Sequence, residues 1–320
     1  MWPRSLIALA LALVAASGSA SAQGWPTKPV RVIVPVTPGS ALDISARTVS
    51  DHLARQLNQT FVVENRTGAG GTTGATAVAK ADPDGYTILV HSSAVTIHPS
   101  TFINLAYDTA RDFAGVTPII NVPLILVVSP NKYKSLAALV AAGKAKAGAM
   151  NYASVGYGAA AHLTSERLRL AAGFEAQHIP FRGAPEALTE VLAERVDFFY
   201  TPILPALSLL REGKLLALAT SSSKRSLAMP DLPTTLEAGF PNSDFNFWTG
   251  MLVPAKTPRD VIDILHRETR KAIDSGEARE KFANLGGEPM LMTPAEFDAL
   301  IRREQDANAE LVKAAGIKPN

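Results

Sequence analysis

Three glycine-containing turns hold the residues best placed for chemistry: Pro38-Gly39-Ser40, Gly68-Ala69-Gly70-Gly71-Thr72-Thr73-Gly74 and Ser154-Val155-Gly156-Tyr157-Gly158. Each follows a strand-like apolar run and leads into a helix-like one. Glycine permits φ > 0 and lets a ligand come close to the main chain. The first N–H groups of the following helix lack intrahelical partners, and the helix dipole adds partial positive charge there. Such a turn can take an anion without lysine or arginine. In open α/β sheets ligands settle beyond the carboxyl ends of strands, where these turns fall. Any one of them could be a plain tight turn, since glycine is the default turn residue. Three of them facing one cleft would hold a carboxylate.

Other chemistry finds little support. Gly68–Gly74 reads G-x-G-x-x-x-G, which misses the G-x-G-x-x-G spacing of a dinucleotide site. There is no Walker A sequence, no G-x-S-x-G elbow and no H-E-x-x-H. The chain has no cysteine, which excludes disulfides, thiolate metal sites and cysteine nucleophiles. The six histidines (His52, His91, His98, His162, His178 and His266) include no i, i+4 pair, so neither metal nor cofactor is expected. His162 opens the helix after the third turn, as a packed or capping residue that could also reach a ligand. Asp43 suits a helix cap better than a base. A Ser–His–Asp triad can be assembled from distant segments, but no motif points to one. Arg66 and Arg182 flank turns, as ligand partners or as internal ion pairs. Phe198, Phe199, Tyr200, Phe245, Phe247 and Trp248 form aromatic clusters of the core, some of which could line a pocket wall.

The elements that must position these turns alternate in type. Val30–Val36 reads as a strand buried on both faces. Leu42, Ala46, Val49, Leu53 and Leu57 give a helix at spacings of three and four. Phe61–Glu64, a short helix ending near Lys80, and Tyr86–His91 complete a first α/β lobe. A second set comprises strands at Leu124–Ser129, Asn151–Val155, His178–Phe181, Val196–Tyr200 and Leu215–Ser221. Helices run between them from Ser135, from the third glycine turn and over 184–194. Thr257 followed by Pro258 predicts one C-terminal helix, and the capping box Thr293-Pro294-Ala295-Glu296 predicts the last. The pattern is two doubly wound α/β lobes without a flexible linker between them.

Composition frames this reading. The chain has 320 residues, 47% hydrophobic and 19% charged, with a net charge of +2. That is globular and large enough for about two domains, and it argues against nucleic-acid binding. Residues 1–22 read as a signal peptide: Arg4, an apolar run from Leu6 to Ala16, and a small-x-small site at Ala20-Ser21-Ala22. The apolar run is shorter than the roughly 20 residues a membrane span needs. The expectation is an exported, periplasmic protein beginning at Gln23.

Ordered blocks along the mature chain point further. They include Trp25-Pro26-Thr27-Lys28-Pro29-Val30-Arg31, Val34-Pro35-Val36-Thr37-Pro38-Gly39-Ser40-Ala41-Leu42-Asp43 and Val63-Glu64-Asn65-Arg66-Thr67-Gly68-Ala69-Gly70-Gly71. Pro83-Asp84-Gly85-Tyr86-Thr87, Asn151-Tyr152-Ala153-Ser154, His162-Leu163, Pro180-Phe181-Arg182-Gly183, Gly213-Lys214-Leu215 and Pro230-Asp231-Leu232-Pro233-Thr234 follow in order. The chain resembles the Bug-type extracytoplasmic solute receptors of tripartite tricarboxylate transporters. The resemblance implies a periplasmic binding protein fold of type II, a Venus flytrap. Lobe 1 would comprise 23–122 and 248–320, lobe 2 would comprise 123–247, and hinges would lie near 122–124 and 246–250.

It also implies a receptor that binds a small carboxylate between its lobes and hands it to membrane transporter subunits, without catalysis; a monomer is the simplest expectation. The implied ligand-binding residues are Thr37, Gly39, Ser40, Asp43, Gly68, Ala69, Gly70, Ser92, Ala94, Ser154, Tyr157, Gly158, His162 and Thr201. The chain departs from the family pattern at Val36, Thr37 and Ser40, at Ser92–Thr96 where a glycine is missing, at the bulky Tyr157, and at Thr201 where an acid is common. A secreted hydrolase using Ser154 or Ser40, and a ligand sensor for a signalling kinase, are the alternative functions.

Overall fold

In the computed structural model, residues 24–145 and 148–319 are described; the signal segment lies outside them. The first strand, β1 (Val30–Val34), is buried at every position but Arg31. It pairs in parallel with β2 (Phe61–Asn65) on one side and β3 (Thr87–Ser92) on the other. Helix α1 (Ala41–Leu57) connects β1 to β2 and buries Leu42, Ala46, Val49 and Leu53, while α2 (Thr72–Ala79) connects β2 to β3. Two short helices, α3 (His98–Thr101) and α4 (Thr109–Asp112), lead into β4 (Phe113–Asn121). The chain then leaves this sheet through Val122 and Pro123.

The second sheet has the order β7-β6-β8-β5-β9. Its strands are β5 (Leu124–Val128), β6 (Met150–Ser154), β7 (Ala176–Pro180), β8 (Phe198–Pro202) and β9 (Leu216–Thr220). Strands β6, β7 and β8 run parallel, and β5 pairs antiparallel with β8 and β9. Helices α5 (Leu136–Ala145), α6 (Ala160–Ala172), α7 (Ala184–Leu192) and α8 (Ile203–Arg211) connect them.

The chain returns through β10 (Trp248–Pro254), which enters the first sheet antiparallel between β3 and β4. The first sheet thus has the order β11-β4-β10-β3-β1-β2, where β11 is Glu288–Pro289. Strands β4 and β10 carry no alternation that predicts them, and helix α8, whose Ile203, Ala206, Leu207 and Leu210 do follow helical spacing, was not foreseen. Strand β10 is buried at all seven positions, so it shows no alternation. The two crossings touch: the Val122 N–H donates to the Phe247 carbonyl at 2.8 Å. The sheets are therefore mixed rather than wholly parallel: the first takes in β10 after the chain returns, and the second has β5 antiparallel to β8 and β9.

Helices α9 (Arg259–Asp274), α10 (Gly276–Asn284) and α11 (Pro294–Ala314) close the chain. The Thr293–Glu296 capping box forms as predicted. Thr257 does not cap α9; its hydroxyl donates to the Pro254 carbonyl, and Pro258 occupies the cap position. Helix α11 belongs to both lobes. Phe297, Leu300 and Ile301 pack in the first lobe, whereas Leu311 and Val312 join the core of the second.

Phe297 is the wedge of the first lobe. Side chains at Gly115 of β4 and Gly250 of β10 would lie 2.7 and 2.5 Å from its ring, so these glycines make room for it. Trp248 meets the same ring edge-on at 5.0 Å. Phe297→Ala should cost about 3–5 kcal/mol of unfolding free energy, read from urea denaturation; a loss under about 1 kcal/mol would show that the site collapses freely.

Candidate functional site

A cavity of about 460 Å³ lies between the two sheets and is walled by both lobes. The first lobe contributes Thr37, Gly68, Ala69, Gly70, Ser92 and Ala94 to its lining, and the second contributes Tyr157 and Gly158. The carboxyl ends of β1, β2, β3 and β6 feed these turns.

The glycine loop has the most constrained backbone. Gly68, Ala69, Gly70 and Gly71 have φ of 131°, 44°, 66° and 104°. Four consecutive positive values favour glycine at almost every position. The Gly71 N–H closes the turn onto the Gly68 carbonyl. Among the described residues, the N–H groups of Ala69 and Gly70 have no protein acceptor. Beneath the loop, the His98 Nε2–H donates to the Gly70 carbonyl at 3.2 Å, while His98 Nδ1 accepts from the Tyr107 hydroxyl at 2.6 Å. The next imidazole, His91, accepts from the Ser92 N–H and occupies the space a side chain at Gly71 would need, 2.8 Å from its Nε2. Burial pushes His91 down to about 4; burial, and then the neighbouring His91, push His98 down to about 3. Both are neutral supports at ordinary pH.

The third turn is built on a second histidine pair. The Ser154 hydroxyl donates to the Gly156 carbonyl, accepts from the Gly156 N–H, and lies 2.6 Å from His178 Nε2. His162 Nδ1 accepts from the Gly158 N–H at 3.1 Å. The two imidazoles stack at 3.8 Å, and Tyr157 meets both edge-on. Burial pushes His162 down to about 4; burial, and then His162, push His178 down to about 3. Helix α6 begins here with Ala159 at its cap position and no capping side chain, so among the described residues the N–H groups of Ala160 and Ala161, at the cavity wall, have no protein acceptor.

The structure places the remaining predicted residues behind this wall. Ser40 caps α1 by accepting from the Asp43 N–H. Asp43 accepts from the Gly39 N–H at 2.9 Å, from Asn65 at 2.8 Å and from Arg47 at 3.0 Å. Burial alone would raise its carboxyl, but these hydrogen bonds outweigh it and hold the group below the usual range. Gly39, Ser40 and Asp43 thus use their polar groups on one another. Ser154 and His162 do the same in the third turn. Thr201 is fully buried in β8 and outside the lining. Arg66 is paired with Glu64 at 2.5 Å.

Several lining residues were not foreseen: Thr67, His98, Phe102, Leu124, Val155, Ala160 and Ala161. Phe199, Tyr200 and Phe247 of the aromatic clusters do reach the wall, whereas Phe198 and Trp248 are core. Among the described residues, no Asp, Glu, Lys or Arg lines the cavity. Its capacity for an anion therefore resides in main-chain donors on otherwise apolar walls. No cluster of metal-ligating side chains occurs among the described residues.

Comparison with known proteins agrees with this architecture. Residues 45–317 match the family described as tripartite tricarboxylate transporter family receptor, TctC. The chain is 34% identical to protein BugT of Bordetella pertussis over 98% of this chain and 97% of that one. The solved periplasmic binding protein BugD superposes with a TM-score of 0.79 at 31% identity, covering 92% of this chain and all of that one. An R. palustris protein solved with adipate gives a TM-score of 0.81 at 28% identity, with the same coverage. This chain belongs to the TctC receptor family and has the two-lobed fold of a solute-binding protein.

Two predictions concern the supports of the site. A histidine whose folded pKa lies below its unfolded value of about 6.5 leaves stability whole above 6.5 and weakens it as the pH falls towards the folded value. His91, His98, His162 and His178 all act in that direction. Glu304, which burial raises to about 7, and Asp298, which burial raises above its ordinary value, oppose them. Four groups against two give a urea midpoint that drops between about pH 6.5 and pH 4; His178→Gln should flatten the slope, and an unchanged slope would count against a buried neutral His178. Gly71→Ala, at φ +104° with His91 in its path, should cost about 1–3 kcal/mol by the same assay.

Proposed function

We propose that this protein is a periplasmic receptor that captures a small carboxylate between its lobes and delivers it to membrane subunits of a tripartite tricarboxylate-type transporter. The observation that carries the reading is a cavity that offers free main-chain N–H groups from both lobes and no charged side chain. The adipate held by the R. palustris relative supports a carboxylate ligand. Lobe 1 (23–122 and 248–320) and lobe 2 (123–247) would close by rotation about the paired crossings at Val122 and Phe247. The ligand would be held by Gly68, Ala69 and Gly70, with Thr37, Ser92, Ala94, Tyr157 and Gly158 completing the wall. Gly39, Ser40, Asp43, Ser154 and His162 act from behind by fixing the turns, and Thr201 lies buried outside the wall. The receptor would work as a monomer and need no cofactor.

The geometry weighs against a hydrolase. Ser154 and His178 are within hydrogen-bond distance, but Ser154 is fully buried. The His178 Nδ1 has no carboxylate to orient it, or any other partner among the described residues. An imidazole held at about 3 is a poor base at neutral pH.

Titration calorimetry of residues 23–320 with adipate and with its diamide separates the readings. A receptor of this kind binds the acid and not the amide, and Gly70→Val, at φ +66° with Phe102 beside it, weakens binding at least about tenfold without loss of fold. Equal binding of acid and amide would refute the main-chain anion site. Turnover of an ester abolished by Ser154→Ala would replace the reading with the hydrolase.

A further inference from the structure

In each lobe, the histidine that supports a donor turn also holds an aromatic ring. His98, whose Nε2–H donates to the Gly70 carbonyl, meets the Phe102 ring edge-on, with centroids 5.5 Å apart and planes at 88°. His162, whose Nδ1 accepts from the Gly158 N–H, meets the Tyr157 ring at 5.8 Å and 89°. His178 meets the same ring at 4.8 Å and 85°. Both rings line the cavity, and Tyr157 is 57% exposed although two imidazoles hold it. A ring fixed from behind and open towards the cavity needs no further ordering when a ligand arrives.

The two rings stand beside the place where the lobes meet. A side chain at Gly70 would meet the Phe102 ring at 3.4 Å, and one at Gly158 would meet the Thr101 hydroxyl at 3.0 Å. Phe102 follows Thr101 in the chain, and Tyr157 precedes Gly158. Each donor turn therefore has an aromatic ring at its side, one from each lobe. A carboxylate seated on those turns has its first carbons next to both rings. Beyond them the wall continues with Leu124, Phe199 and Phe247, all apolar.

The body that meets such rings best is itself flat and aromatic, because paired π-systems gain more than their buried area alone supplies. In an aromatic acid the carboxylate also fixes the direction of the ring. Main-chain donors that orient the carboxylate then orient the body with it. A flexible chain of the same length has to be ordered first, at a cost in affinity.

On the carboxylate-receptor reading, we infer that Phe102 and Tyr157 are specificity-determining residues. They contact the body of the ligand from opposite lobes and favour a carboxylate attached directly to an aromatic ring. The preference concerns the body alone, so it holds for a monoacid and a diacid alike. Aliphatic acids use the same donors and bind more weakly.

The test uses residues 23–320, titration calorimetry and two pairs of acids matched in length and charge. One pair is benzoate and cyclohexanecarboxylate; the other is terephthalate and trans-cyclohexane-1,4-dicarboxylate. Adipate is the open-chain control. In whichever pair binds, the aromatic acid should bind at least about fivefold more tightly than its saturated partner. Tyr157→Leu and Phe102→Leu should each bring the two to within about twofold, chiefly by weakening the aromatic acid. Tyr157→Phe should keep the preference. A preference that survives either leucine substitution would overturn the inference. So would equal weakening of both members of a pair, which marks a purely structural role, or binding of adipate while both ring pairs fail. Failure of all five acids would instead sink the carboxylate-receptor reading on which the inference rests.

Discussion

The main chain from Gly68 to Gly71 runs through four successive positive φ angles, and much of the first lobe is arranged around that fact. The loop's carbonyls each find a protein partner, Gly68 in the Gly71 N–H, Ala69 in the Thr72 hydroxyl and Gly70 in His98, while the N–H groups of Ala69 and Gly70 find none among the described residues. His98 can donate to the Gly70 carbonyl in one tautomer because the Tyr107 hydroxyl occupies its other nitrogen. His91 fills the space that the missing side chain at Gly71 leaves. Gly74, one turn further on, lets α2 settle against Pro35 at a distance no Cβ could tolerate. The loop is thus held from below by neutral, buried groups, and its outward face is left free.

That arrangement explains how a cavity without cationic side chains can serve an anion. A lysine or arginine in the wall would attract any anion from solution and would need its own solvation when the site is empty. Main-chain donors fixed by the fold cost no side-chain entropy to organise, and their dipoles strengthen when water is excluded. The second lobe repeats the solution with different parts. There a stacked histidine pair, tied to Ser154 and to the Gly158 N–H, holds the turn ahead of α6. Each lobe offers donors, and each hides the side chains that hold those donors in place.

Much of this was legible in the chain. The helix at Leu42–Leu57, the strands around both glycine turns and the Thr293 capping box follow from local patterns that the tertiary structure leaves intact. Strand β10 was not legible because burial on both faces removes the alternation that marks a strand, and β4 because its burial pattern is also nearly continuous. The site divides in a similar way. Gly68, Ala69, Gly70 and Gly158 advertise themselves by residue type. His98, Phe102 and Leu124 reach the wall only through the folding of distant segments. The reverse error is equally instructive. Asp43, Ser154 and His162 are polar and lie beside the right turns, but a polar residue next to a strained turn is the first available partner for that turn's own main chain.

Helix α11 adds a mechanical consequence. It starts in the core of the first lobe at Phe297, passes Glu304 bonded to Trp248 and Asn308 bonded to Thr96 and Arg167, and ends among the packed residues of the second lobe at Leu311 and Val312. Two chain crossings alone would let the lobes twist and slide as well as open. A helix seated in both bodies away from those crossings ties them together at a third place and limits how they could slide past each other. Lobes tied in this way vary little in register when they meet. The two halves of a binding surface can then lie on separate lobes and still align to the tolerance that a hydrogen bond requires.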